Sequence, residues 1–260
     1  MSDVQDRPKA GLSADLSGKT VLVTGASSGF GEHFCRVLAQ AGAEVLAAAR
    51  RIDRLETLTA EIQAAGGRAR ALALDVGDAK AVAAAIEALP QLDVVVNNAG
   101  VAGPSRAIDC EEDEWRWTFD VNVHGSWFVA RHAALHMRDA GRPGSIINIA
   151  SITGVRPGAS SAAYSASKAA VIQMTSALAM EWARHDIRVN AIAPGYFETD
   201  LNRDFLNSPY GQQMLKRIPQ RRFGEMSNLD GPLLLLASEA SAYMTGSVIA
   251  VDGGHLVSPL

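Results

Sequence analysis

The chain of 260 residues has few cysteines, few aromatic residues and no excess of positive charge. Its two cysteines, Cys35 and Cys110, form no CxxC pattern, so the sequence predicts neither a disulfide framework nor a metal site. A formal net charge of −4 gives no reason to expect nucleic acid or an anionic membrane surface as a partner. The sequence has no apolar run of the roughly 18–20 residues that span a membrane, and its polar N-terminus lacks the apolar core of a signal peptide. We therefore expect a cytoplasmic protein.

Short apolar segments alternate with longer helical patterns along the chain. The apolar segments are typical of strands buried on both faces of a parallel sheet, and they lie at 20–24, 44–49, 69–75, 93–97, 144–150, 187–193 and 246–252. The helical patterns lie at about 29–41, 52–66, 78–89, 112–140, 161–185 and 228–238. Strict alternation predicts an α/β fold with a doubly wound parallel sheet, whose ligands bind beyond the carboxyl ends of the strands.

The chain contains no linker rich in proline or glycine that would separate two domains. We expect a polar N-terminal tail over residues 1–17 and a single domain over residues 18–260. An irregular insertion at about 195–227 is too long for a simple connection and predicts a small lobe that covers the substrate. The alternative is a pair of short surface helices without function.

A glycine-rich turn, TGASSGFG, follows the first predicted strand and leads directly into a helical pattern. Its glycines, Gly25, Gly29 and Gly31, allow the backbone to approach a pyrophosphate closely, and the start of a helix offers free N–H groups. The spacing G-x-x-x-G-x-G differs from the common G-x-G-x-x-G fingerprint. Its position in the first βα turn nevertheless predicts a dinucleotide site.

The segment AAYSASKAAV places Tyr164 and Lys168 one above the other on the same face of a predicted helix. A neighbouring cation lowers the pKa of a phenol from about 10, so that the phenol can pass protons near neutral pH. The alternative is a lysine that snorkels beside an amphipathic tyrosine on a half-exposed helix.

These motifs recur together in an order that resembles the short-chain dehydrogenases/reductases, over about residues 18–254. The resemblance rests on Thr24–Gly31, Asn97–Gly100, Asn122, Ser151, Tyr164 with Lys168, and Pro194 with Gly195. It implies a single-domain Rossmann-like fold with a seven-stranded parallel sheet, a nicotinamide cofactor, and oxidation or reduction of an alcohol/carbonyl pair. Phe30 stands where the family more often has an aliphatic residue, a departure that we expect to change packing near the diphosphate rather than chemistry.

The resemblance also implies roles for individual residues. Tyr164 passes the proton, and Lys168 lowers the pKa of Tyr164 and holds the ribose hydroxyls of the cofactor. Ser151 hydrogen-bonds the substrate oxygen, and Asn122 anchors a water that links Lys168 to solvent. The remaining cofactor contacts come from the glycine-rich turn and the carboxyl ends of the strands, at Gly25, Ser27, Ser28, Gly29, Phe30, Gly31, Asp75, Val76, Asn98, Ala99, Gly100, Pro194, Gly195, Phe197 and Thr199.

One strand end indicates which cofactor is used. NAD-binding turns carry an acidic residue about 20 residues beyond the glycines, and this chain has Ala49 there, followed by Arg50 and Arg51. A guanidinium suits a phosphate, so we expect NADP(H), bound in part by Arg50, with NAD(H) as the alternative. The two arginines could instead solvate the start of the next helix, with Asp53 as its cap.

The expected substrate pocket is mostly apolar. We place Val101, Ile152, Val155 and Tyr196 in it beside Ser151, and see no cation suited to a carboxylate. This predicts a neutral, fairly hydrophobic ketone, aldehyde or secondary alcohol. The alternatives are a reductase of 3-oxoacyl groups on a carrier protein, with a docking patch made of Arg131, Arg138 and Arg156, and a non-catalytic nucleotide sensor.

The resemblance further implies a homotetramer. One interface would use the helices predicted at 112–140 and 161–185, and a second would use the C-terminal strand. On the first of these helices, Trp115, Trp117 and Trp127 are expected to pack in a core or a subunit contact rather than against a ligand.

Overall fold

The computed structural model describes residues 14–159, 161–198, 206 and 208–258. Its strands are β1 (Thr20–Thr24), β2 (Glu44–Ala49), β3 (Arg68–Ala73), β4 (Val94–Asn97), β5 (Gly144–Ile149), β6 (Ile187–Pro194) and β7 (Val248–Val251). They form one parallel sheet in the order β3-β2-β1-β4-β5-β6-β7, which confirms the doubly wound, seven-stranded architecture. The strand order reverses between β1 and β4, and ligands of such sheets bind at this switch point.

Helices cover both faces of the sheet. They are α1 (Gly29–Gln40), α2 (Ile52–Ala64), α3 (Ala79–Glu87), α4 (Glu112–Phe119), α5 (Ser126–Asp139), α6 (Ala162–Trp182), α7 (Pro209–Leu215) and α8 (Asp230–Ala237). Along β1, Val21 and Val23 pack in one core with Phe34 of α1, whereas Leu22 packs in the opposite core with Met137 of α5. Alternate side chains of a strand point to opposite faces, so a strand between two helical layers must be apolar throughout.

The helical pattern predicted over 112–140 is confirmed, but the helix is not regular along its length. A π-helical turn, Asp120–Gly125, separates α4 from α5. The Asn122 side chain lies in this wide turn and bonds both backbone groups of Val101, at 2.8 and 2.9 Å. Such wide turns are frequent at functional sites, because they direct one residue out of the regular helical repeat.

Several strands end earlier than their apolar runs. The ladder of β3 stops at Ala73, so Asp75 lies two residues beyond the strand rather than at its last position. Leu74 remains buried and still donates a backbone hydrogen bond to Ala49, which explains why the apolar run extends past the ladder.

None of the helices in the described residues is both long enough and apolar enough to cross a lipid bilayer.

Candidate active site

A cleft of about 860 Å³ opens at the carboxyl edge of the sheet, where β1 and β4 lie side by side. It brings together most of the residues that the sequence proposed for a cofactor and a substrate, namely Gly25, Ser27, Ser28, Gly29, Phe30, Arg50, Asp75, Val76, Asn98, Ala99, Gly100, Val101, Ser151, Tyr164, Lys168, Pro194, Gly195, Tyr196 and Phe197. Gly31, Asn122, Ile152 and Val155 do not line it, and Thr199 is outside the described residues.

The glycine-rich turn is packed too closely for side chains. A Cβ on Gly31 would lie 2.3 Å from the carbonyl oxygen of Gly25, and Gly25 itself has a φ of +65°. The side chain of Ser28 makes no capping bond to the start of α1, so that helix end offers its N–H groups to an anion. This backbone cradle fits the diphosphate of a dinucleotide.

The cradle is joined directly to the next strand end. Asn98 Nδ2 donates a hydrogen bond of 2.9 Å to the carbonyl oxygen of Thr24, and Thr24 Oγ1 accepts from the backbone N–H groups of Asn98 and Ala99, each at 3.1 Å. The glycine-rich turn and the segment after β4 therefore hold each other in place. Thr24 belongs to the glycine-rich motif in the sequence, but its bridging hydroxyl is evident only in the folded chain.

Arg51, rather than Arg50, contacts the glycine-rich turn. Its guanidinium donates hydrogen bonds to Ser27 Oγ at 2.9 Å and to Ser28 Oγ at 3.0 Å. Arg50 is exposed and lines the same end of the cleft. The expectation that Asp53 caps α2 is wrong, because Arg51 occupies the N-cap and Asp53 lies in the first turn without a capping bond.

Ser151, Tyr164 and Lys168 meet where β5 ends and α6 begins. Ser151 is the N-cap of a short 3₁₀ turn, Ile152–Gly154, which follows β5. A Cβ on Gly154 would lie 2.6 Å from the backbone of Lys168, so this glycine allows the turn to pack directly against α6. Lys168 Nζ lies 5.7 Å from the centroid of the Tyr164 ring and donates a 2.8 Å hydrogen bond to the carbonyl oxygen of Ile149.

Burial changes the acidity of both groups. Burial lowers the pKa of Lys168 to about 8. Burial also raises the pKa of Tyr164, an effect that a hydrogen bond from Ser151 opposes and the Tyr196 phenol increases. The sequence-based expectation of a lowered phenol pKa is therefore not met in this structure, because desolvation outweighs the stabilisation of the phenolate.

Asn122 connects the cleft wall to α6. It is completely buried, and its Nδ2 donates hydrogen bonds of 2.9 Å to the carbonyl oxygen of Val101 and to Ser167 Oγ. Ser167 Oγ in turn donates a 2.7 Å hydrogen bond to the carbonyl oxygen of Tyr164. Sequence analysis missed Ser167, which joins Asn122 to the backbone of the tyrosine.

Phe30 contacts the segment that follows β6. Its ring meets the ring of Phe197 edge to face, with centroids 5.4 Å apart. The backbone N–H of Gly224 donates a 2.9 Å hydrogen bond to the carbonyl oxygen of Tyr196, so the two ends of the 195–227 insertion lie together. Phe30 thus packs the glycine-rich turn against Phe197.

Two residues that were expected to line the substrate pocket do not line the cleft. Ile152 is buried below the cleft and Val155 is exposed on the surface. The inclusion of Arg156 in a basic docking patch is wrong, because its guanidinium donates hydrogen bonds to the carbonyl oxygens of His255, Leu256 and Ser258. Among the described residues, no three histidine, cysteine or acidic side chains are grouped as metal ligands.

Comparison with known proteins agrees with this geometry. The family model for short chain dehydrogenases matches residues 19–209. The chain belongs to this family. It is 37% identical over 247 residues to the 2-dehydro-3-deoxy-D-gluconate 5-dehydrogenase of Dickeya dadantii, covering 93% of this chain and 97% of that protein. It is also 36% identical over 246 residues to a 3-oxoacyl-[acyl-carrier-protein] reductase of Thermotoga maritima, covering 93% of this chain and 99% of that protein.

A solved structure supports the same assignment. The gluconate 5-dehydrogenase of Burkholderia cenocepacia, in complex with NADP and tartrate, superimposes with a TM-score of 0.91. It is 35% identical, and the match covers 95% of this chain and 98% of that one. The protein is therefore an NAD(P)-dependent oxidoreductase that acts on CH–OH and carbonyl groups.

The buried ammonium gives a prediction for stability. Lys168→Met should stabilise the cofactor-free protein by about 3 kcal/mol at pH 7, because folding no longer buries a charge. The pKa of Lys168 is about 8 in the folded protein and about 10.5 for a free lysine, so the gain should shrink as pH rises from 8 to above 10. Urea unfolding of the variant and of wild type at several pH values measures this difference in the free energy of unfolding.

The matched control is Lys80→Met, which removes an exposed lysine of α3 and should leave stability unchanged. A Lys168→Met protein that is less stable than wild type at pH 7, or whose gain does not vary with pH, would contradict the assigned burial cost.

Proposed function

We propose that Ser151, Tyr164 and Lys168 form the catalytic set with which this protein interconverts a neutral, fairly hydrophobic secondary alcohol and its ketone, or an aldehyde and its alcohol. The observation that carries the proposal is one cleft lined by Ser151, Tyr164 and the buried Lys168, in which Lys168 Nζ lies 5.7 Å from the centroid of the Tyr164 ring. The nicotinamide supplies the hydride in reduction and accepts it in oxidation.

In carbonyl reduction, the hydroxyls of Ser151 and Tyr164 donate hydrogen bonds to the substrate oxygen. As negative charge develops on that oxygen, Tyr164 transfers its proton to it, and the Lys168 ammonium stabilises the resulting phenolate. In oxidation, the phenolate of Tyr164 accepts the proton of the alcohol. Asn122 holds the backbone of Tyr164 through Ser167, and we keep the prediction that it also anchors a water for proton exchange.

The cofactor would lie along the length of the cleft. Its diphosphate would be held by the glycine-rich turn, and its nicotinamide end by Pro194, Gly195 and Phe197. Its adenosine would lie by Asp75, Val76 and the segment Asn98–Gly100, and Lys168 would hold a ribose. No carboxylate stands at Ala49 to repel a 2′-phosphate, and the hydroxyls of Ser27 and Ser28 lie beside the Arg51 guanidinium. These groups support NADP(H) over NAD(H), with Arg51 added to the Arg50 that the sequence proposed.

The substrate class is supported by the side chains that line the cleft and by the partners of the nearest arginine in the sequence. The guanidinium of Arg156 is taken up by backbone carbonyls, and Val101, Ala102 and Tyr196 line the cleft near the catalytic set. These side chains support a neutral substrate. Similarity to the carrier-protein reductase favours a second candidate, for which Arg131 and Arg138 provide two cations in one groove between α5 and α6.

Tyr164→Phe tests the catalytic proposal. The variant should lower kcat by about 100-fold or more, because it removes the proton donor while leaving the ring in place. The measurement is cofactor-coupled turnover of 2-octanol, gluconate and a 3-oxoacyl carrier-protein thioester, with both cofactors. The control, Tyr243→Phe, changes a fully exposed tyrosine and should behave as wild type.

If Tyr164→Phe turns over every substrate at the wild-type rate, the proposed catalytic set is wrong. Turnover of the thioester alone would favour the carrier-protein reductase, and turnover of gluconate in preference to 2-octanol would overturn the neutral substrate class.

Arg51→Gln tests the cofactor assignment. The variant should lower kcat/KM for NADPH by about ten- to a hundredfold, because it removes charge-assisted hydrogen bonds to a phosphate, and should change kcat/KM for NADH little. Arg54→Gln, at an exposed position on α2, is the matched control. A wild-type protein that works better with NADH than with NADPH would refute the assignment.

We propose a cytoplasmic homotetramer as the working assembly. Trp115, Trp117 and Trp127 are each about 40% exposed in a single chain. Trp127 also stacks on Trp182 of α6, with ring centroids 6.4 Å apart. Aromatic surface of this kind is enriched at subunit interfaces, which supports association through α4, α5 and α6. Light scattering at micromolar concentration should give the mass of four chains, and the mass of one chain would rule the proposal out.

A further inference from the structure

Ser151 receives two hydrogen bonds from a single residue that the proposed catalytic set does not include. The backbone N–H of Thr153 donates to Ser151 Oγ at 3.1 Å, and the Thr153 hydroxyl donates to the same oxygen at 2.9 Å. Ser151 is buried, and the 3₁₀ turn that it caps fixes the position of Thr153 two residues further on. The two donors therefore approach Ser151 from one rigid piece of backbone.

The number of bonding positions on a hydroxyl decides what these contacts do. A serine hydroxyl has two lone pairs that accept and one proton that it can donate. Thr153 fills both accepting positions, so the remaining bond of Ser151 is one in which it donates. We propose that Thr153 is a positioning residue for Ser151: its hydroxyl keeps the single proton of Ser151 available for donation, to Tyr164 in the free protein and to the substrate oxygen when substrate is bound. This inference rests on the proposed roles of Ser151 and Tyr164.

The direction of this hydrogen bond matters for proton transfer. When Ser151 donates to Tyr164, it stabilises the phenolate and lowers the pKa of Tyr164. Without the Thr153 hydroxyl, one lone pair of Ser151 is free to accept the phenol proton. In that reversed bond the phenol proton of Tyr164 points to Ser151. The bond would favour the neutral phenol and would take the Tyr164 donor away from the substrate oxygen.

Other charged and titratable groups near the phenol are held constant in the comparison. Among the described residues, Lys168 faces Tyr164 from its own helix, and Tyr196 faces it from the segment after β6. Neither is changed when Thr153 is replaced, so a difference in pH dependence between variants reports on the hydroxyl of Thr153.

The test compares Thr153→Val with Thr153→Ser. Valine keeps the shape and the backbone N–H but lacks the hydroxyl, whereas serine keeps the hydroxyl. Thr153→Val should lower kcat about three- to tenfold with KM nearly unchanged, and should move the pH profile of alcohol oxidation to higher pH. Thr153→Ser should restore both. The assay uses NADP⁺ with whichever of 2-octanol and gluconate is turned over faster.

A second readout does not need turnover. Ultraviolet titration of phenolate formation, taken as the difference between each protein and its Tyr164→Phe counterpart, gives the pKa of Tyr164 directly. It should be higher in Thr153→Val than in wild type and in Thr153→Ser. Thr59→Val, which removes a buried hydroxyl of α2 bonded to the carbonyl oxygen of Glu56, is the matched control and should change neither readout.

Three outcomes would overturn the inference: a Thr153→Val protein with wild-type kcat and an unchanged Tyr164 pKa, equal impairment of the valine and serine variants, or a loss of thermal stability in Thr153→Val without a change in pH dependence. If Tyr164→Phe is inactive in the same assay, these outcomes overturn only the role of Thr153. If Tyr164→Phe is fully active, the proposed function itself fails.

Discussion

The buried ammonium of Lys168 is the constraint around which the site is built. Among the described residues its one hydrogen-bond partner is the carbonyl oxygen of Ile149, and the residue is only 4% exposed. Placing a charge in such surroundings costs free energy, which appears as a pKa lowered to about 8. Although the buried charge lowers stability, it provides a cation that is fixed beside Tyr164 and faces the cleft. Active sites often contain groups that lower stability but serve function.

The close packing around this cation depends on glycines. A Cβ on Gly100 would lie 3.3 Å from Lys168 Nζ, and one on Gly154 would overlap the backbone of α6. On the other side of Tyr164, the π-helical turn directs Asn122 towards Val101 and Ser167. Short hydrogen bonds thereby join the segment after β4, helix α6 and the π-helical turn. Catalysis by charge stabilisation requires groups that are held in place before the reaction in this way.

The sheet and the main site residues could be predicted from sequence, because buried strands and a glycine-rich turn leave local patterns. The features that the sequence did not predict depend on residues far apart in the chain. Asn122 of the π-helical turn bonds Val101, 21 residues away, and Arg156 binds carbonyls about 100 residues along the chain. The pKa of Tyr164 follows from burial that only the folded chain creates. Choosing between Arg50 and Arg51 likewise required the position of the guanidinium relative to Ser27.

The most direct test of this account is the pKa of the Lys168 ammonium. The chain has only five lysines, so NMR titration of protein labelled at the lysine side chains can resolve each signal, with Lys168→Met identifying the one of interest. The account predicts that Lys168 titrates near pH 8 in the cofactor-free protein, well below the ordinary value of about 10.4. A Lys168 signal that titrates together with those of the exposed lysines would contradict it.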